Sequence, residues 1–261
     1  MSANVRYVAI VTKAKILQQD RILQDPNVVP VGDNLALPLI RLAARLRSEG
    51  IELHTSDMMP LEKFDAFYFS DMPGKKTEDV FRFAKRAGKA TILSVGENHF
   101  IAPGNADFGR YRDFDAVLSY NDEAVEKYGA IKSYYSFDFS LARPSQIPFA
   151  DRKFATMISA CMKRNIPHNV SYLRLRTLEF YSRHHPDRMD LYGRGWDKGT
   201  YLFQDRPEVF RWTHGLFLDK LLPRRRFPVW RGPCGRKSDV LGKYRFVYCY
   251  ENTDEIPGYI T

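Results

Sequence analysis

The sequence predicts an α/β protein of two domains, each an open, largely parallel sheet with helices on its faces. Three observations predict it. Short apolar runs rich in β-branched and aromatic residues alternate with helical patterns along the first half of the chain. A Pro-marked stretch, LARPSQIPFADRK, interrupts the pattern from residue 141. The alternation then resumes and runs to the last residues. Residues 1–140 are therefore assigned to an N-terminal domain, 141–152 to a linker and 153–261 to a C-terminal domain. A chain of 261 residues that is 44% hydrophobic can bury a core in each.

The elements follow in order. VRYVAIVT (5–12) is a β-branched apolar run and predicts a strand. LALPLIRLAARLRSEG sets Leu35, Leu39, Leu42 and Leu46 at helical spacing and stops at Gly50. IELHTS and FDAFYFS are two further strands. TEDVFRFAKRAG is a helix with Thr77 as its cap, acidic residues in its first turn, basic residues in its last, and Gly88 after it. KATILSV and FDAVLSY are strands, NDEAVEKYG a short helix, and IKSYYSF closes the domain. Beyond the linker, FATMISA is a strand, NVSYLRLRTLEFYSRHH a helix and MDLYGRG a strand ending in a glycine turn. A long basic loop leads to YRFVYCYEN (244–252), apolar or aromatic on both faces as a central parallel strand requires.

Composition narrows the function classes. No window approaches the roughly eighteen apolar residues of a membrane span, and MSANVRYVAIVTKAK lacks the layout of a signal peptide. Cys161, Cys234 and Cys249 form no C-x-x-C pair, which argues against a disulfide framework or a zinc site and fits a reducing, cytoplasmic location. The six histidines show no metal spacing, and Asp113-Phe114-Asp115 precedes its strand where a metal-binding D-x-D would follow one. No metal or resident cofactor is expected. The formal net charge is +9, and residues 211–245 carry ten Lys or Arg against two Asp, so nearly all the excess is in one block. Such a block calls for an anionic partner: nucleotide phosphates, peripheral contact with an anionic membrane surface, or nucleic acid.

Ligands of open parallel sheets sit outside the carboxyl ends of the strands, so the residues that follow each strand are the candidates. Glu97, in the Gly-Glu-Asn exit after TILSV, is either a solvated loop glutamate or a general base for a substrate hydroxyl. Arg174 and Arg176 lie early in the helix after FATMISA, where they either line a solvated face or grip phosphate oxygens. Gly193 and Gly195 allow close backbone approach, but they do not open a helix as a dinucleotide fingerprint would. Glu251 and Asn252 end the last strand and either hydrogen-bond a sugar hydroxyl or turn the chain.

Taken in order, these segments resemble the α-1,3/1,4-fucosyltransferases of glycosyltransferase family ten. YRFVYCYENTDEIPGYIT resembles the family's aromatic strand running into Glu-Asn and then Gly-Tyr-apolar-Thr. LYGRG resembles its Tyr-Gly-Arg strand end, RLRTLEFY its Arg-rich donor helix, and SVGENHFIAP with FDAVLSYNDE its acceptor-side loop and following strand. The resemblance runs from about residue 35 to the end. It implies two Rossmann-like domains in a GT-B arrangement and inverting transfer of L-fucose from GDP-fucose to a hydroxyl of an N-acetylglucosamine-containing glycan, without a metal. The N-terminal domain would take the acceptor and the C-terminal domain the donor. Glu97 would be the base, Arg174 would contact the diphosphate, and Tyr192, Gly193, Glu251, Asn252 and Tyr259 would line the donor pocket. The family's closing motif continues into Glu-Lys, and this sequence stops at Thr261. The expectation that follows is an incomplete donor domain, bare aromatics over 244–250, and little or no turnover by this form.

Two other classes stay open from the residues alone. One is a GT-B glycosyltransferase with another sugar nucleotide. The other is a non-catalytic basic binding fragment acting through PRRRFPVWRGPCGRKS (223–238), although no regular aromatic interleaving supports nucleic acid there.

Overall fold

A computed structural model describes residues 6–29, 32–134, 144–161, 170–206, 208–209, 221–253 and 256–259. The chain forms two compact units. The first is Met1–Leu141 with Ile256–Tyr259, and the second is Ala142–Glu255 with Ile260–Thr261. Both are parallel α/β structures, as the alternation predicts.

In the first unit, β1 (Tyr7–Val11), β2 (Glu52–Thr55), β3 (Ala66–Ser70), β4 (Ala90–Val95), β5 (Ala116–Ser119) and β6 (Ile131–Lys132) form one sheet in the order β2-β1-β3-β4-β5-β6. Every pairing in it is parallel. The helices are α1 (Arg21–Gln24), α2 (Leu37–Arg47), α3 (Glu78–Arg86) and α4 (Asp122–Tyr128). Phenylalanine dominates the main core. Phe64, Phe67 and Phe69 are buried, and Phe69, Phe81 and Phe114 interlock with centroids 4.8–5.9 Å apart. Each such side chain contributes about 1.5–3 kcal/mol by leaving water. The smaller core on the other face joins Ile10, Ala43 and Leu53. Ala43 is the buried residue of α2, whereas Leu42 of the predicted apolar stripe is exposed.

One predicted cap differs. Thr77 does not cap α3; its hydroxyl bonds the backbone of Gly74 instead. Asn121 does cap α4, its side chain accepting from Ala124 N at 3.1 Å. The triplet Phe-Asp-Ala occurs twice, at 64–66 and 114–116, and performs one task twice. Asp65 accepts from the N–H groups of Arg6 and Tyr7, and Asp115 from the N–H and hydroxyl of Thr91. Each carboxylate thus ties the start of its own strand to the start of the neighbouring one, while the preceding Phe is buried in the shared core. These backbone bonds hold both carboxyls below the ordinary value of 3.8.

In the second unit, β7 (Lys153–Ile158), β8 (Met189–Tyr192) and β9 (Tyr244–Tyr248) pair in parallel in the order β8-β7-β9. Helix α5 (Ser171–His184) buries Leu175, Leu178 and Tyr181 with Met157, Met189 and Leu191. The central strand among the described residues is β7, not the aromatic segment at 244–252. Strand β9 lies at the edge, with Phe246 and Val247 exposed. The expectation of bare aromatics over 244–250 is met at Phe246 but not at Tyr244, and Tyr248 and Tyr250 are half-buried. Tyr244 is buried and donates to Asp190 at 2.7 Å, Tyr248 shares a bond with Tyr181, and Tyr250 shares one with Thr177.

Candidate functional site

The first candidate group belongs to the first unit. Strand β4 ends at Val95, and the chain leaves it through Gly96 and Glu97. Both N–H groups donate to Oδ1 of Asp71, at 3.0 and 2.9 Å. Asp71 directly follows β3 and has φ +65°, an uncommon conformation that aims its carboxylate along the sheet end. Asn105 adds a second clamp. Its Nδ2 donates to Asp71 Oδ1 at 2.9 Å and to the carbonyl of Glu97 at 2.7 Å. Tyr120 donates to the same carbonyl at 3.4 Å. Asn98 is fully buried and accepts from the N–H groups of Phe100 and Ile101, which folds the following turn. The backbone of Glu97 is therefore held by three side chains, Asp71, Asn105 and Tyr120, while the residue is exposed. An exposed carboxylate on a fixed backbone at a strand's carboxyl end suits a group that must meet a hydroxyl in one geometry.

Burial pushes the Tyr111 hydroxyl up to about 12 and that of Tyr120 higher still, so both are neutral hydrogen-bond donors at ordinary pH. Tyr111 donates to the carbonyl of Asn105 at 3.0 Å. Asp71 and Asn105 escape sequence reasoning because each acts on a residue distant in the chain. The available signal was positional: an Asp immediately past an apolar strand.

The second group belongs to the second unit. Arg174, on the first turns of α5, is 6% exposed. Its Nη2 donates to the carbonyls of Tyr250 and Glu251, at 2.5 and 2.9 Å, and to Asn252 Oδ1 at 3.1 Å. Burial lowers its affinity for the proton, and the nearby Glu251 carboxylate raises it. Val170 N donates to the carbonyl of Asn252 at 3.3 Å. The start of α5 and the exit of β9 are thus stitched together at the carboxyl ends of two adjacent parallel strands. Residues 162–169, which include most of the segment preceding α5, lie outside the described residues. Arg176 is exposed and stacks on Tyr172 at 5.1 Å.

The other expected donor residues are placed differently. Gly193 has φ +138°, and a Cβ there would lie 1.8 Å from the carbonyl oxygen of Ser159. Its lack of a side chain serves strand contact, reinforced by Trp230 Nε1 donating to its carbonyl at 3.0 Å. Tyr192 shares a 3.0 Å bond with the hydroxyl of Tyr244, which begins β9, whereas Asn252 lies past that strand's other end. Tyr259 groups with the first unit, its ring 5.2 Å from that of Tyr120. Gly258, at φ +77°, lets this segment lie against the carbonyl of Tyr120. The structure therefore brings together Arg174, Glu251 and Asn252, and sets Tyr259 beside the tyrosine that bonds the Glu97 loop.

Much of the basic block is engaged inside the second unit. Arg225 pairs with Glu179 and Asp205 and also bonds the carbonyl of Leu202. Arg231 pairs with Asp190, and Arg224 stacks on Tyr201 at 3.6 Å. Among the described residues no group of three His, Cys, Asp or Glu is arranged to hold a metal, and no helix is long and apolar enough to cross a membrane.

No family model matches the chain, and no curated protein matches it. Among solved structures it is similar to Anabaena Alr3699/HepE. The complex with UDP and glucose is 12% identical, over 93% of this chain and 73% of the other, with a TM-score of 0.42. The complex with UDP-glucose is 12% identical, over 92% and 72%, with a TM-score of 0.41.

Proposed function

We propose that the chain is an inverting glycosyltransferase of the GT-B kind that moves L-fucose from GDP-fucose to a hydroxyl of an N-acetylglucosamine-containing glycan. The observation that carries this reading is the meeting of Arg174 and Asn252 at the carboxyl ends of adjacent parallel strands. That is where such sheets hold phosphorylated ligands. Donor identity rests on the resemblance of YRFVYCYEN, LYGRG and RLRTLEFY to the family ten segments.

In this reading, Arg174 and Glu251 keep the β9 exit in shape, and Asn252 offers its amide to the donor. The buried guanidinium supplies fixed positive charge as the diphosphate leaves, without reorganisation at the moment of reaction. Glu97 accepts the proton of the acceptor hydroxyl. The hydroxyl oxygen forms a bond to the anomeric carbon from the side opposite the diphosphate, and the bond to the phosphate oxygen breaks with its electron pair going to GDP. One bond is made, one is broken, the proton ends on Glu97, and the anomeric configuration inverts. Tyr259, Tyr192 and Gly193 act through packing rather than donor contact.

A calorimetric panel of sugar nucleotides tests the reading. GDP-fucose and GDP should bind with similar affinity, and UDP-sugars markedly more weakly. Binding of a different nucleotide sugar in place of GDP-fucose rejects the fucose assignment, and absence of binding to every sugar nucleotide rejects the transferase.

A further inference from the structure

The first unit has a cavity that the transfer chemistry above leaves unused. Strand order β2-β1-β3 reverses direction at β1, so the carboxyl ends of β1 and β3 flank a topological switch point, the usual ligand position in open parallel sheets. A cavity of about 360 Å³ opens there, within the range of roughly 300–1,000 Å³ typical of small-molecule sites. Lys13 lines it from beyond β1, and Lys75 and Lys76 from the turn beyond β3. Pro103 and Asn105 form the wall contributed by the loop after β4.

Three lysines line this one cavity and give it its charge. Among the described residues none of the three forms an ion pair, and none of those residues accepts from the N–H of Lys75 or Lys76. The nearby Glu78 carboxylate is already turned to Arg82 and Arg110. Among the described residues these donors therefore have no partner, and the residues that carry them line a cavity. A ligand with an oxyanion would satisfy them, because phosphate, sulfate and carboxylate oxygens accept charge-assisted bonds from Lys and from free backbone N–H groups.

The cavity is also joined to Glu97. Asn105, buried in its wall, donates to the carbonyl of Glu97 and accepts from Met72 N at 2.8 Å. The wall residues Ile101–Asn105 continue directly from the Gly96-Glu97-Asn98 exit. We propose that this cavity binds an oxyanion carried by the acceptor, so that the acceptor is an anionic sugar held beside Glu97. The acceptor role rests on the glycosyltransferase reading; the anion site rests on the cavity and its lysines.

The test is a calorimetric titration of the full chain with N-acetylglucosamine 6-phosphate, N-acetylglucosamine and inorganic phosphate. The sugar phosphate should bind at least tenfold more tightly than either of the others. Lys75→Met with Lys76→Met should remove that preference and leave GDP affinity and the melting curve unchanged. Lys13→Met is the second variant and should reduce the same preference. Equal binding of the phosphorylated and neutral sugars, or a preference that survives in the variants, overturns the site. Inorganic phosphate binding as tightly as the sugar phosphate overturns the acceptor assignment. Loss of GDP binding in the unaltered chain would instead count against the transferase reading and leave the cavity result standing.

Discussion

At the scale of single residues, Glu97 and Arg174 are held in two contrasting ways. Glu97 is exposed on a backbone clamped by Asp71, Asn105 and Tyr120. Arg174 is buried and has three acceptors in the β9 exit. Glu97→Gln keeps the clamp, since the clamp bonds its backbone and not its carboxylate. Glu97→Gln should lower kcat by roughly 10²–10⁴-fold, the usual effect of losing a general base. Donor affinity should stay unchanged, and steady-state kinetics with GDP-fucose would show it. Turnover equal to the unaltered enzyme would remove Glu97 from the mechanism. The position of Glu97 was legible because a Gly-Glu-Asn exit after an apolar strand has one place to go. The clamp was not legible, because Asp71 and Asn105 carry no local pattern that points to Glu97.

At the scale of elements, the strand alternation read well, since each apolar run has the length and β-branched content of a buried strand. The place of β9 in its sheet did not. The apolar run alone reads as buried on both faces, yet Phe246 and Val247 are exposed at the edge of the described sheet, because such a run states what a strand can bury and not how many neighbours it has; only for Phe246 does the resemblance imply that exposure. The repeated Phe-Asp-Ala entries give a pH prediction. Asp65 and Asp115 have folded values below 3.8, so each contributes stability that is present above that value and is lost as pH falls through the lower folded value. Asp65→Asn and Asp115→Asn should each lower the unfolding midpoint at neutral pH. The difference from the parent should close in acid, once the pH has fallen below the lowered folded value and the parent carboxyls are also protonated. Denaturant curves at neutral and acid pH check this; a difference that persists in acid would mean that the carboxylate charge is not the source.

At the scale of the whole molecule, the two parallel α/β sheets follow from the interrupted alternation, and the compact units are Met1–Leu141 with Ile256–Tyr259 and Ala142–Glu255 with Ile260–Thr261. The grouping of Ile256–Tyr259 with the first unit was not legible. It depends on Ile256 entering the Phe-rich core and on Gly258 lying against Tyr120, both long-range facts. A Cβ on Gly258 would lie 2.3 Å from the Tyr120 carbonyl and 2.8 Å from Asp122 Oδ1. Gly258→Ala should therefore undock this segment and destabilise the first unit by about 1–3 kcal/mol, the usual cost of overpacking. Faster proteolysis after residue 253 and a lower unfolding midpoint are the expected readouts. An unchanged digestion pattern would mean that the segment is not held by this contact.

The central claim is that the Arg174–Asn252 junction holds the diphosphate of a nucleotide sugar. Calorimetric titration of GDP and GDP-fucose into the unaltered chain and into Arg174→Ala, with folding of both verified by circular dichroism, tests it most directly. The unaltered chain should bind both ligands, and the variant, still folded, should lose affinity for both by a similar factor, because the diphosphate is common to them. A folded Arg174→Ala protein that binds GDP as tightly as the parent would contradict it.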